Sequence, residues 1–450
     1  MTISQPGPHQ GDNTTPCAQQ AGDQPHQGDN TTPAAQAVGD QPIRVTTLEL
    51  FFDLIFAFTL TQLAVVLTPG KTNVWAASVF RVLLIFGLLW WMYGGYAWLT
   101  NTRSPVRNPE RLLLVFGMTG FLTAGLAIPE AFGGDGVAFG LGYLLVVLVH
   151  AVLYARVNRQ IWRIAPFNVT SALLVIAAGF ASGSARYVFW LAALVIQAGA
   201  PLVVRLGGRF EIRPGHFAER HGALIIVAIG ESVAAIGIGA IGRPVTIKLV
   251  VAAVAGLALS VALWWMYFGS GDDERGEQAM RAAAETRRPG LALSAYFYAH
   301  MPMLLGIVFA AAGVTEAVRQ GAGSSAAEEA VGQARGVAEA VGQARGVAEA
   351  VGQARGVAEA VGLARAGGWP AALALGIGAA AFVGGTAAFR AALRTGPTRF
   401  RLAAAAFALA TVPLGALVAI EAQLGLITAG LAVMLVTEPD GQHLPRSGLA

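Results

Sequence analysis

The sequence predicts an all-α, polytopic membrane helix bundle of about twelve transmembrane helices, built as a parallel six-plus-six internal duplication. Three observations predict it. Hydrophobic residues make up 55% of the chain and charged residues only 12%, with a mean hydropathy of +0.58; a soluble domain carries about a quarter charged residues. Apolar stretches long enough to cross a bilayer recur along the chain. The string WWMY ends the second such stretch at Trp90–Tyr93 and the eighth at Trp264–Tyr267. An even number of spans separates the copies, so they point the same way, as a repeat about an axis along the membrane normal requires. A Trp/Tyr belt at matching interfacial depths is the other reading of that string.

Residues 1–42 are rich in Gln, Gly, Pro and Thr, and HQGDNTTP occurs at 9–16 and again at 26–33. Too little apolar surface is available there to offset the ordering entropy, so a disordered cytoplasmic tail is expected. No apolar stretch follows its start, so a cleaved signal peptide is not expected and the first span does its own targeting. The apolar spans lie near 46–68, 74–98, 111–131, 137–157, 165–181, 187–205, 219–241, 246–268, 291–313, 369–389, 400–419 and 421–437. The first ends at the turn signal Pro69-Gly70, the fifth is short, and almost nothing separates the last two, so ten or eleven remain open. The expected domains are a first six-helix repeat at 43–210 and a second at 211–437, interrupted by an extracytoplasmic loop at 314–368, with a cytoplasmic tail at 438–450. That loop holds GQARGVAEAV three times from Gly332. A ten-residue period rotates each repeat by roughly 80° on a helix, so no continuous apolar seam forms and a solvated, low-complexity tract is expected.

Loop charge tests the alternation. With both termini on one side, that side carries 20 Arg, whereas the short loops opposite carry only Lys71, Arg186, Arg243 and Lys248. The positive-inside rule then makes the Arg-rich side cytoplasmic, with both termini inside. The single cysteine, Cys17, lies in the polar tail, which excludes an intrachain disulfide and a Cys-based metal site. Walker, GxSxG and HExxH patterns are absent and no GxGxxG follows a strand, so no cofactor, metal or soluble catalytic domain is expected. The net charge of +4 is spread over loops, which argues against a nucleic-acid partner. The expected partners are the lipid bilayer and a small ion or solute, and the pattern leaves room for a homo-oligomer.

The chemistry sits in ionisable groups inside the apolar spans, where each costs about 2.5–3.5 kcal/mol at mid-bilayer. Glu49 and Asp53 are four residues apart and so roughly 40° apart on one helical stripe. Glu49 also fits a helix-start acid. Span seven opens with HFAERHGALIIVAIGESV: His216, Glu219, Arg220 and His221 crowd its start and Glu231 lies near mid-membrane. Arg220 and Glu231, eleven residues apart, fall within roughly 20° of each other. Arg220 and His221 also fit a cytoplasmic flank. In span nine Tyr296 and His300 share a face, and Pro302 leaves a carbonyl free about one turn earlier. His150, with Tyr154 four residues on, fits a structural histidine. Arg81 in span two either snorkels or answers an acid. Asp272-Asp273-Glu274 reads as a solvated charge run.

The strings ELFFDLIFAFTLTQL and HFAERHGALIIVAIGES, with YAHMP in span nine, resemble the bacterial low temperature requirement A (LtrA) family over roughly 43–437. The resemblance implies a multi-pass membrane protein linked by its name to stress adaptation, and it supplies no reaction. FFDLIFAFTLT also resembles the first helix of the endolysosomal potassium-channel family, which duplicates a six-helix unit. Phe52 stands where that family has Ser, so potassium selectivity is not implied. Transport or conduction is the function expected, with Glu49, Asp53, Glu219 and Glu231 on the path and His150, His216, Arg220, His221, Tyr296 and His300 in support. Two other readings stay open: a membrane-embedded enzyme whose cluster at 216–221 meets a lipid or isoprenoid headgroup, and a non-catalytic sensor or scaffold.

Overall fold

The computed structural model describes residues 45–68, 75–103, 105, 107–204, 211–321 and 347–438, with the backbone alone described at 347–367. The expected tail at 1–42, residues 322–346 of the long loop and most of the C-terminal tail lie outside them, whereas 314–321 and 347–368 of that expected loop are helical. Among the described residues the chain is helical, with no strand. The helices are α1 (Thr47–Leu67), α2 (Trp75–Thr102), α3 (Asn108–Ala127), α4 (Gly136–Ala155), α5 (Ala165–Phe180) and α6 (Gly183–Val203). Then come α7 (Pro214–Ala240), α8 (Ile247–Trp264), α9 (Asp272–Ala282), α10 (Arg288–Leu291) and α11 (His300–Gly321). The last are α12 (Val347–Leu393), α13 (Arg399–Ala410), α14 (Val412–Leu417) and α15 (Ile420–Thr437). Ten helical stretches among the described residues are long and apolar enough to cross a membrane, and α5 is a shorter apolar helix. The protein is a multi-span helical membrane protein, and its exposed Leu112, Phe116, Leu126, Val195, Val251 and Val433 suit contact with lipid.

Local chemistry sets the ends and breaks. Thr46 caps α1 in a reciprocal box with Glu49, and Pro109 and Pro214 open α3 and α7, where a missing N–H costs nothing. Pro302 cannot donate to the Tyr298 carbonyl, and residues 292–298 just before it wind as a π-helical turn. Within the turn the Phe297 carbonyl accepts the Trp90 indole N–H at 3.3 Å, tying α2 to it. In the two WWMY copies the Met and Tyr are buried alike, but the first Trp is fully buried in one (Trp90, within α2) and partly exposed in the other (Trp264), where the second, Trp265, opens a second π turn, Trp265–Gly269, and is half exposed. Burial of Trp90 between helices is not what an interfacial belt residue does.

Packing follows an ordered succession. Helix α1 lies against α2, α3 and α7; α3 lies on α4, α4 on α5, α5 on α6, and α6 returns to α2. Helix α7 lies against α8 and α11; α11 lies on α12, α12 on α13 and α14, these on α15, and α15 returns to α8. Two of these seams are closed by glycine. A Cβ on Gly120 would stand 2.8 Å from the Gly142 carbonyl oxygen between α3 and α4. One on Gly306 would stand 2.6 Å from the Gly378 carbonyl oxygen between α11 and α12. Backbone meets backbone there, so no side chain can yield.

Gly306→Val should therefore force α11 from α12 and cost about 1–3 kcal/mol or more. A thermal melt in detergent checks this, and the expected result is a lower midpoint with reduced monodisperse yield.

Candidate functional site

The first turns of α1 and α7 face each other, with the last turns of α2 closing the side. Capping at Thr46 fixes where α1 starts, which sets Glu49 and Asp53 on its inward stripe beside Phe52 and Phe56. Pro214 fixes the start of α7, which sets His216 and Arg220, four residues apart, on the face opposite. All four charged or titratable side chains are at most 2% exposed.

Arg220 is the centre. Its Nη2 and Nε donate to Asp53 Oδ1 at 3.0 and 3.2 Å, its Nη1 lies 3.6 Å from Glu49 Oε1 and donates to Thr100 Oγ1. Its guanidinium carbon lies 5.4 Å from the Phe52 ring and 5.5 Å from the Tyr93 ring, a cation–π cradle. Tyr93 also donates its hydroxyl to Asp53 Oδ1 at 2.9 Å. The two oxygens of Glu49 divide their work. Oε2 accepts the Thr46 backbone N–H at 2.8 Å, and Oε1 meets His216 Nε2 at 3.1 Å. Asn101 donates to the Arg213 carbonyl at 3.0 Å and lies 3.4 Å from His216 Nδ1, so it orients the imidazole. Two carboxylates thus face one permanent cation. One negative charge stays uncompensated unless a proton sits on His216 or on a carboxyl, or a cation joins the cluster.

Glu231 stands elsewhere on the same seam, eleven residues or roughly 16 Å along α7 from Arg220. It is half-buried, accepts the Thr61 hydroxyl, and lines a cavity of about 30 Å³ among α1, α7 and α11 with Thr315. Between this cavity and Asp53 lie the buried apolar side chains Phe56, Leu60, Leu224 and Ala228. Glu219 is not drawn in: it is exposed and accepts the Val45 backbone N–H at 3.2 Å.

The remaining sequence candidates form a second group. His300 donates Nδ1–H to the Ala295 carbonyl at 2.9 Å, which leaves Nε2 to accept from the Tyr267 hydroxyl at 3.1 Å. The rings of His221 and Tyr296 pack on it at 5.2 and 5.4 Å, so this is a buried aromatic stack behind the charge cluster. His150 packs on Tyr96 and Tyr154 over Gly95. Among the described residues Arg81 pairs with no acid; it donates to the Tyr187 hydroxyl at 2.9 Å and lies over Phe132.

One sequence expectation is corrected. Asp272 is not solvated but fully buried. It accepts from Arg390 Nε at 2.8 Å, Arg401 Nη1 at 2.6 Å and Arg275 Nη2 at 2.7 Å, and Glu438 completes the cluster on Arg390 at 2.6 Å. The local charge density concealed this, because the deciding partners come from α12 and α13 far along the chain. Sequence reasoning also missed Tyr93, Thr100 and Asn101. The only signal was Tyr93 inside WWMY; Thr100 and Asn101 carry no charge to betray them.

The family model for bacterial low temperature requirement A protein (LtrA) matches residues 44–436. The chain belongs to the LtrA family. An uncharacterized protein of Rhizobium meliloti (strain 1021) is 30% identical to this LtrA chain over 282 residues, covering 59% of the chain and 67% of that protein. No solved structure matches. Among the described residues of the LtrA chain no group of His, Cys, Asp and Glu could hold a metal ion.

Asp272→Ala leaves Arg390 and Arg401 facing each other in buried surroundings. It should cost about 3–5 kcal/mol, as loss of one partner from a buried pair does. Thermal unfolding in detergent checks this, with Asp273→Ala as the comparison expected to melt near wild type.

Proposed function

We propose that the LtrA chain moves a small ion or solute across the bacterial inner membrane, with proton or cation binding at Glu49 and Asp53 coupled to Glu231 along the α1–α7 seam. The observation that carries this reading is the charge imbalance of the buried cluster: two carboxylates on one guanidinium, with a histidine at 3.1 Å able to take up the difference. A site that is neutral only with an added proton or cation is a binding site for one. Glu231 offers a second carboxylate beside a cavity with room for a water-sized occupant. The apolar side chains between the two sites act as a closed septum, and transport requires them to part.

A duplication of the chain into two such halves is part of the same reading. The two successions of helix contacts, α1 to α6 and α7 to α15, follow one order, and each contains a glycine-closed seam at the same step. Halves of this kind, 43–210 and 211–437, rock against each other around a site at their interface. Here α1 opens one half and α7 the other, so the cluster spans that boundary. The Arg bias of the loops supports a topology with both termini in the cytoplasm. An enzyme acting on headgroups needs His216, Arg220 and His221 accessible, and all three are buried.

Flux into proteoliposomes of the purified full chain tests the site. Glu231→Gln and Asp53→Asn should each reduce ion or proton flux to the protein-free background while Glu231→Gln melts as wild type does. Wild-type flux in a folded Glu231→Gln and in Asp53→Asn would make the charge cluster a structural fixture. Orientation is checked separately at Cys17: an impermeant maleimide should label it in inverted membrane vesicles and leave it unlabelled in spheroplasts.

A further inference from the structure

A cleft of about 580 Å³ opens at one end of the bundle between the start of α3 and the turn after α4. Arg103, Arg107, Arg156 and Arg159 line it, and the only carboxylate in its lining is Glu110. Arg103 holds that carboxylate at 3.0 Å. Three exposed guanidiniums therefore face the cleft with no acid in its lining left to answer them. Arg103, Glu110 and Arg156 also line an adjoining crevice whose other walls are Thr100, Pro105 and the apolar Leu99, Leu114, Leu153 and Val157. Trp162, on the turn that carries Arg159, is 56% exposed, as a side chain at headgroup depth is.

A basic cleft continuous with an apolar crevice, at the depth of an interfacial tryptophan, matches one kind of ligand. We propose that the cleft binds the phosphate headgroup of an anionic phospholipid, with an acyl chain against the crevice between α2, α3 and α4. Guanidinium forks recognise phosphate oxygens in pairs, and the apolar wall distinguishes a lipid from a soluble phosphate compound. The site is separate from the transport reading, yet it lies next to the charge cluster. Thr100 lines the crevice and accepts a hydrogen bond from Arg220 on its other side.

Native mass spectrometry of the full chain in micelles, with equal phosphatidylglycerol and phosphatidylcholine added, tests this. Wild type should retain phosphatidylglycerol in preference, and Arg156→Ala/Arg159→Ala should weaken that retention about thirtyfold. Arg287→Ala/Arg394→Ala removes equal charge elsewhere and should leave the preference intact. Equal retention of the two lipids would overturn the proposal. So would an unchanged preference in the cleft variant at an unchanged melting temperature. Displacement of phosphatidylglycerol by millimolar inorganic phosphate would overturn the lipid assignment in favour of a soluble anion; persistence through that wash supports it.

Discussion

Arg220 is the constraint on which the rest of the arrangement depends. A guanidinium cannot shed its proton in a protein, so its burial commits the fold to supplying carboxylates and neutral acceptors around it. Asp53, Glu49, Thr100 and the faces of Phe52 and Tyr93 do so from two helices, α1 and α2. That requirement fixes the rotation of α7 about its axis and the depth at which it meets α1. It also explains why both helices start at the same end of the bundle, α1 at the Thr46 cap and α7 at Pro214. A slip of one residue in either would turn the stripe by about 100° and strand the cation in apolar surroundings.

The two buried charge clusters solve different problems. In the first, acids outnumber the permanent cation and a histidine stands by, which leaves the charge state open to protons or ions. In the second, Arg390 and Arg401 together with Arg275 face Asp272 and Glu438, so no acid lacks a cation and no titratable base takes part. The second cluster binds α9, α12, α13 and the end of α15 into one unit. A membrane protein that moves one half against the other needs both kinds: a junction whose charge can change, and fixed joints within each half.

The bundle was legible in the sequence because hydropathy reports membrane burial directly, and helix is the only open-ended backbone that satisfies itself in lipid. Glu49, Asp53 and Arg220 were legible for the same reason: a charge inside an apolar run has to be answered. Their pairing was not, since neither spacing nor composition says which helices meet; only the repeated WWMY hinted that span one lies beside span seven. Asp272 was misread because a run of three acids beside arginines looks the same whether it is dissolved or clamped. Glu219 shares the dense charge string of its neighbours, yet its bond to the Val45 backbone turns it toward the residue that precedes the Thr46 cap of α1. A helical wheel cannot see that partner.

The divided carboxylate of Glu49 has a consequence for how the chain can vary. One oxygen seals the start of α1 and the other reaches His216, so the side chain is a strut whose length is set at both ends. Aspartate keeps the charge but is one methylene short, and glutamine keeps the length but offers an amide where an acceptor is needed. Neither chemical neighbour fills the position, so unwinding of the first turn and a change at the imidazole are one mechanical event.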